Sequence, residues 1–400
     1  MHLIIFTENS QNGGLDTFIS SLINNWPKNG DEFTVICNKS HPGIENLKNS
    51  IDKKVYFIEH DIPLVWDICM RFSKGFPNIV IKLIKYFLRL FLIPIQYLKI
   101  SNIFKNLAAN KLLVVNGGYP GGETCRIANI AWFNLGKGKS IHNFHNFASS
   151  YRPGFGWYEK LLDKKLIKST YAFVSVSKVC AASLISRGAI WHQANIRHIY
   201  NGIPDKASNH VVNLRKELKI GSSPLCLMLG TYEERKGHEF IFGVFERVLK
   251  KIPNAYLVIC GGRTDNQYNL VKELRDKIIP SQNVIFMDFI PNGANLISQS
   301  DLLLIGSQSY ESFGYTAVEA MIREIPVVST NTGGLAEVIK DNEGGFIFNK
   351  DDYVGFSDKV LQLLKDKELR MEIGNKGRER ANSLFLSNRM SMEYFNILND

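Results

Sequence analysis

At 400 residues the chain is too long for one comfortable core, so two domains with a cleft between them are expected. An apolar share of 45% with only 13 prolines leaves no room for a long disordered tract. Six dispersed cysteines, with no C-x-x-C pair and no His/Cys metal spacing, read as buried free thiols in a reducing cytosol. The net charge of +10 asks for an anionic partner. Nucleic acid is set aside, because no zinc module, helix-turn-helix signature or aromatic RNA-binding strand is present.

The opening Met1-His-Leu-Ile-Ile-Phe6 lacks the basic region and long apolar run of a signal peptide and reads as a first strand. Short β-rich apolar runs then alternate with longer helical patterns, which predicts parallel sheets covered by helices. Strands are expected at 3–7, 33–37, 55–58, 112–115, 140–144, 172–176 and 196–200 in the first half. In the second they are expected at 225–229, 255–260, 284–287, 302–305, 326–329 and 345–348, so the two halves repeat one architecture.

After the first strand, Glu8-Asn-Ser-Gln-Asn-Gly-Gly-Leu-Asp16 carries Gly13 and Gly14, which let the backbone approach a ligand before a helix from Leu15. An ordinary strand–helix loop fits equally, and no G-x-G-x-x-G fingerprint follows. From Ile68 to Gly122 no Asp or Glu occurs, while Arg71, Lys74, Lys82, Lys85, Arg89, Lys99 and Lys105 sit among apolar residues. Lys82, Lys85 and Arg89 share one helical face, and Leu83, Ile84, Phe87, Leu90 and Phe91 crowd the rest. Arg89 and Pro94 interrupt the run, so residues 71–105 are expected to lie on an acidic membrane rather than cross it. A domain helix with a solvated basic face is the alternative. The polar turn at residues 201–209 is the expected hinge, ahead of a helical pattern at 212–218. The divisions are then 1–200, 201–380, and a C-terminal helix at 381–400 packing back toward the first domain.

In doubly wound sheets, ligands bind beyond the carboxyl ends of the strands, where helix starts offer N–H groups to anions. Gly230-Thr-Tyr-Glu-Glu-Arg-Lys-Gly237 puts Arg235 and Lys236 beside a helix start, two cations suited to a diphosphate whose departing oxygen gains charge. Simple pairing with Glu233 and Glu234 is the alternative. Ser309-Tyr-Glu-Ser-Phe-Gly-Tyr-Thr-Ala-Val-Glu-Ala-Met321 is the strongest local signal. Glu311 falls in the loop and Glu319 on the helix starting near Tyr315. Carboxylates there take paired sugar hydroxyls, while the helix start and Thr316 face phosphates.

Glu311-x7-Glu319, Arg235-Lys-Gly237, Tyr200-Asn-Gly-Ile-Pro204 and Gly333-Gly-Leu-Ala-Glu337 occur in the order seen in family 4 glycosyltransferases, which the chain resembles closely in its second half and loosely before about Phe173. The resemblance implies an α/β fold of GT-B architecture, two Rossmann-like parallel-sheet domains facing a central cleft. It also implies metal-independent transfer, with no cofactor, that retains anomeric configuration. By the same resemblance Glu311 holds the donor sugar's hydroxyls, Glu319 binds ribose, and Lys236 with Arg235 neutralises the leaving diphosphate. Phe313, Gly314, Tyr315 and Thr316 meet sugar and phosphate. Gly13 and Gly14 close over the phosphates, and His145, or else His142, is the histidine near the donor sugar. Many family members carry arginine where this chain has Thr231 in its donor loop, so Arg235 must substitute or turnover suffers.

The function expected from this is transfer of a hexose-type sugar from a UDP- or GDP-sugar to a glycan or lipid-linked acceptor. The setting is bacterial surface polysaccharide or lipopolysaccharide synthesis, with the protein cytoplasmic and peripheral on the inner face of the cell membrane. A sugar-nucleotide epimerase of the same fold and a non-catalytic donor-binding subunit are the alternatives.

Overall fold

The computed structural model describes residues 1–10, 13–72, 78–205, 213–262, 264–279, 281–290 and 293–400. Lys74, hinge residues 206–209 and Val212 lie outside the described residues, as do the side chains of Arg71, Lys82 and Leu83. The chain forms two compact units, Met1–Tyr200 with Asn388–Asp400, and Asn201–Ser387.

The first unit holds β1 (His2–Thr7), β2 (Glu32–Asn38), β3 (Val55–His60), β4 (Lys111–Asn116), β5 (Ser140–Phe144), β6 (Thr170–Ser175) and β7 (Ile196–His198) in the order β3-β2-β1-β4-β5-β6-β7. Every adjacent pair is parallel. Leu3, Ile4, Ile5 and Phe6 are all fully enclosed, because a parallel sheet is covered on both faces. Their alternation shows in the packing. Ile4 and Phe6 join a cluster with Ile100, Ile127, Trp132 and Leu166, whereas Leu3 and Ile5 pack with Phe18, Leu22 and Tyr394 on the other side.

The second unit repeats the plan with β8 (Leu225–Leu229), β9 (Tyr256–Cys260), β10 (Val284–Met287), β11 (Leu302–Ile305), β12 (Val327–Thr330), β13 (Lys340–Asp341) and β14 (Gly344–Phe348), ordered β10-β9-β8-β11-β12-β14-β13. In each sheet the order reverses at the centre, between β1 and β4 and between β8 and β11, which is where such sheets open a crevice for ligands, and the second sheet turns back once more at its β14-β13 edge. The two-residue β13 has no sequence signal, being short and polar. All six cysteines are buried and free.

The chain returns to the first unit at Asn388, so residues 381–387 stay with the second. The last helix, Ser387–Asn399, is held in the first unit by Met390, Tyr394, Ile397 and Leu398 in its core. Asn143 Nδ2 also donates to Tyr394 Oη at 2.6 Å.

Two features of the basic stretch differ from expectation. Pro94 does not interrupt the helix, which runs from Asn78 to Lys105. Proline inside a helix costs about 3 kcal/mol, and here burial of Ile100 and Phe104 in the sheet-side cluster, and of Leu92 with Val65 and Cys69, offsets it. By length and composition alone Ile84–Lys105 is long and apolar enough to cross a membrane, and 28% of that window is buried, with Ile100 and Phe104 in the unit's core. Arg89 is no lipid-facing cation, because its Nε lies 2.6 Å from Glu123 Oε1 with the side chain only 16% exposed. Phe87 and Phe91 do project outward.

Candidate active site

The loops after β8 and β11 meet at the reversal point of the second sheet. Gln308 N donates to the Arg235 carbonyl at 2.8 Å. Gly237 sits in the left-handed region at φ 72°, and a Cβ there would stand 1.9 Å from the Gly306 carbonyl oxygen, so only glycine lets the two loops approach this closely. The result brings Lys236 Nζ to 2.7 Å from Glu311 Oε2, both side chains less than one-fifth exposed. This pair lies in a pocket whose walls include Leu229, Ile305, Ser307, Gly314, Thr316 and Leu335.

The helix Tyr315–Ile322 points its start into the same place. Gly314 caps it at φ 105°, and a Cβ there would meet Leu335 Cδ2 at 2.7 Å. The first intrahelical bond runs from Ala317 N to Gly314 O, so the N–H groups of Tyr315 and Thr316 precede the ladder and face an incoming anion. Phe313 is buried edge-on to Tyr315 and Phe385 and anchors the turn from below. Glu319 lies one turn along the helix. Burial pushes its carboxyl up to about 7 against the opposing pull of Arg323, a poise suited to accepting a neutral diol and unsuited to a permanent ion pair.

Arg235 stands apart from that pair. Its Nε donates to Glu233 Oε2 at 2.5 Å and its guanidinium lies over the Tyr310 ring, 5.1 Å from the centroid. Thr231 Oγ1 donates to the same Glu233 at 3.0 Å. Glu233 thus ties down Arg235, one of the two cations assigned to the diphosphate, together with Thr231, and Lys236 is the cation that reaches the pocket among the described residues.

Sequence reasoning missed Ser307 and gave Gly333 and Gly334 a place in a motif but no role. Ser307 lies two residues past β11, and its carbonyl accepts from Thr330 Oγ1 at 2.6 Å and Thr332 Oγ1 at 2.7 Å, while its own buried hydroxyl has no hydrogen-bond partner among the described residues. Gly333 and Gly334 brace the Glu311 loop. Gly334 N donates to Glu311 O at 2.7 Å, and a Cβ on Gly333 would lie 2.2 Å from that oxygen. Position after a central strand is the signal that singles out Ser307, whereas the Gly333-Gly334 motif was visible in the sequence but its bracing of the Glu311 loop was not.

In the first unit, the glycine loop after β1 ends at Gly13, which caps the helix Gly14–Asn24. Asp16 holds it: Gly13 N donates to Asp16 Oδ2 at 3.3 Å, and His41 Nε2 lies 2.9 Å from Asp16 Oδ1. A Cβ built on Gly13 meets no described atom within 4 Å beyond its chain neighbours. The two histidines separate. His142 lies inside β5, fully enclosed, with Nδ1 2.8 Å from Asn129 Nδ2. His145 follows the end of β5, its ring edge-on to Phe18 at 4.5 Å, and burial pushes its imidazole down to about 3, so it is neutral at physiological pH. Position favours His145 over His142. Glu8, at the end of β1, accepts from Thr124 N at 3.0 Å, and burial with Glu123 nearby pushes its carboxyl up to about 7. Among the described residues no three His, Cys, Asp or Glu side chains are grouped as metal ligands would be.

Two parallel seven-stranded sheets that share the order of their first five strands, the second with a cationic pocket at its central reversal point, define the GT-B fold of glycosyltransferases. Residues 212–380, which fall in the second unit, match the family described as glycosyl transferases group 1. The chain is similar to N-acetyl-alpha-D-glucosaminyl L-malate synthase of Bacillus anthracis, 28% identical over 209 residues, covering 52% of this chain and 54% of that protein. It is also similar to a capsular polysaccharide biosynthesis glycosyltransferase of Staphylococcus aureus, 26% identical over 160 residues, covering 40% and 41%. The chain thus spans about half the length of the curated relatives it matches. Among solved structures, HepE of Anabaena in complex with UDP superposes with a TM-score of 0.75 at 15% identity, covering all of both chains, a likeness of fold.

Proposed function

We propose that the protein is a retaining glycosyltransferase of family 4 that moves a hexose-type sugar from a UDP- or GDP-sugar, without metal or cofactor, to a membrane-held glycan or lipid-linked acceptor in bacterial surface polysaccharide or lipopolysaccharide synthesis. The observation that carries this reading is the Lys236–Glu311 pair beside the start of the helix Tyr315–Ile322. A nucleotide-diphosphate sugar offers each group a better partner. The diphosphate takes Lys236 and the first N–H groups of the helix, the sugar hydroxyls take Glu311, and the ribose diol takes Glu319. As the sugar–phosphate bond breaks, charge grows on the departing oxygen beside Lys236, and the acceptor hydroxyl attacks from the same face, passing its proton to that phosphate. Positioning and fixed charge do the catalysis, and no protein nucleophile is required. The relatives that act in glucosaminyl transfer and capsule synthesis, and the UDP held by HepE, support the donor class. The acceptor-side unit would work on the inner face of the cell membrane.

Incubating the protein with UDP-, GDP- and dTDP-sugars and a membrane extract tests this. Transfer is expected, abolished by Glu311→Ala. Conversion of donor alone would mark an epimerase, and donor-induced thermal stabilisation without turnover a binding subunit.

A further inference from the structure

The positive charge of the protein is confined to one half. Residues 1–200 hold 24 Lys and Arg against 12 Asp and Glu, whereas residues 201–400 hold 24 against 26. The anionic partner that this excess requires therefore belongs to the first unit and is separate from the donor diphosphate. Within that unit the helix Gly156–Ser169 sorts its charges by face. Glu159 and Asp163 point inward, where Arg152 lies 3.1 Å from Glu159 and Arg187 lies 3.3 Å from each acid. Lys160, Lys164, Lys165 and Lys168 are all exposed on the opposite face, joined by Trp157 at 60% and Leu161 at 52% exposure. Spacings of three and four residues put all six on one side of the helix.

The long helix Asn78–Lys105 supplies the apolar counterpart. Phe87, Phe91, Ile95 and Leu98 form a stripe opposite its buried residues, at 59%, 72%, 45% and 67% exposure. The two helices flank the helix Glu123–Asn134, whose residues from Glu123 to Trp132 are buried beneath them. Tyr86 stacks on Phe155 at 4.0 Å, and Glu123 is approached by both Arg89 and Arg152, tying the two helices together. A row of lysines, an exposed tryptophan and an aromatic-aliphatic stripe, with no outward acid on either helix, match an anionic lipid surface: lysines meet headgroups and rings enter the acyl boundary.

We infer that the helix Gly156–Ser169, through Lys160, Lys164, Lys165 and Lys168, together with the Phe87/Phe91/Ile95/Leu98 stripe, is the surface by which this chain docks on an anionic membrane. This moves the basic part of the contact from the 71–105 segment to a second helix and explains why Arg89 is free to serve inside the fold. It deepens the membrane-held acceptor of the proposed function. Vesicle binding reads it without donor or acceptor, so its failure is separable from failure of sugar transfer to a water-soluble glycan.

The test is co-sedimentation of the full chain with phosphatidylcholine vesicles containing or lacking phosphatidylglycerol, with quenching of Trp157 by brominated lipid. Binding is expected only with the anionic lipid, weakening at high salt. The fourfold variant Lys160→Gln, Lys164→Gln, Lys165→Gln, Lys168→Gln is expected to lose about a hundredfold in partitioning, at roughly a factor of five per lysine less what neighbouring charges compensate. Phe91→Ser with Leu98→Ser is expected to lose the fraction that survives salt. Lys365→Gln with Lys367→Gln, in the second unit, should bind like wild type, and melting temperatures confirm that each variant folds. Absence of wild-type binding to anionic vesicles, wild-type binding by the fourfold variant, or an unquenched Trp157 overturns the proposal.

Discussion

Replacing Gly333 by alanine is the sharpest probe of how the candidate site is held. Gly333 adopts φ 57°, and a Cβ there would lie 2.2 Å from the Glu311 carbonyl oxygen and 3.2 Å from Glu311 N. Two effects follow and can be separated. Left-handed backbone costs an L-residue about 1–2 kcal/mol, which in a unit of this size lowers the melting temperature by roughly 2–8 °C. The steric overlap is more than 1 Å short of ordinary contact and involves backbone, so the Glu311 loop must move. A displacement near 1 Å at a reacting centre is worth about a hundredfold in rate. Gly221→Ala is the control, because Gly221 has φ 55° with nothing within 4 Å of a Cβ and carries the strain without the clash. Turnover at saturating donor, measured beside melting curves, should fall about a hundredfold for Gly333→Ala and stay at the wild-type value for Gly221→Ala. Equal turnover of Gly333→Ala and wild type would refute the claim that this glycine positions Glu311.

Lys236→Ala is expected to lower kcat by about 10²–10³-fold, the usual effect of removing one preorganised donor from a developing negative charge; a kcat within threefold of wild type would remove Lys236 from the chemistry. Because burial holds the Glu319 carboxyl near 7, UDP affinity measured by calorimetry should weaken several-fold as pH falls from 8 to 6, and Glu319→Gln should flatten that dependence. The same shift has a stability sign. A carboxyl raised from 4.5 to about 7 on folding binds its proton more tightly when folded, so its contribution diminishes as pH rises through that window. Glu319→Gln should therefore melt higher than wild type at pH 8, with the gap closing by pH 5. His142→Ala should lower stability by about 1–3 kcal/mol, leaving the buried Asn129 amide short of a partner, whereas His145→Ala should spare the melting temperature and depress turnover; the reverse pattern would exchange their roles.

The sheets were legible because parallel strands buried on both faces read as unbroken apolar runs such as Leu3–Phe6 and Leu302–Ile305, and every such run is a strand. The helix Asn78–Lys105 was legible as a helix but misread at Pro94 and Arg89, since a sequence shows neither the core that offsets a proline nor the Glu123 that claims an arginine. Glu123 lies 34 residues beyond Arg89, and no periodicity links them. The lysines of Gly156–Ser169 escaped notice for the opposite reason. Glu159 and Asp163 alternate with them in sequence, giving an apparently mixed helix until the fold turns both acids inward. In the candidate site, Lys236 and Glu311 are 75 positions apart and meet only because β8 and β11 are neighbours across the reversal point.

The Glu233 contacts bear on the missing arginine at Thr231. A carboxylate that bonds Thr231 and Arg235 at once makes the outer loop nearly neutral and leaves Lys236 as the cation at the pocket among the described residues. That cation is engaged with Glu311 before any donor arrives. Two loops that neutralise each other hold the pocket in shape without a ligand, and under the proposed function each would find a replacement partner at opposite ends of one molecule. Sugar alone would leave Lys236 without its carboxylate, and phosphate alone would leave Glu311 without its amine, so each half-ligand strands a partly buried charge. Only a ligand carrying hydroxyls and diphosphate together satisfies both. On this logic discrimination in favour of an intact nucleotide sugar resides in the exchange of the ion pair, and a second arginine at position 231 would weaken that discrimination by serving phosphate alone.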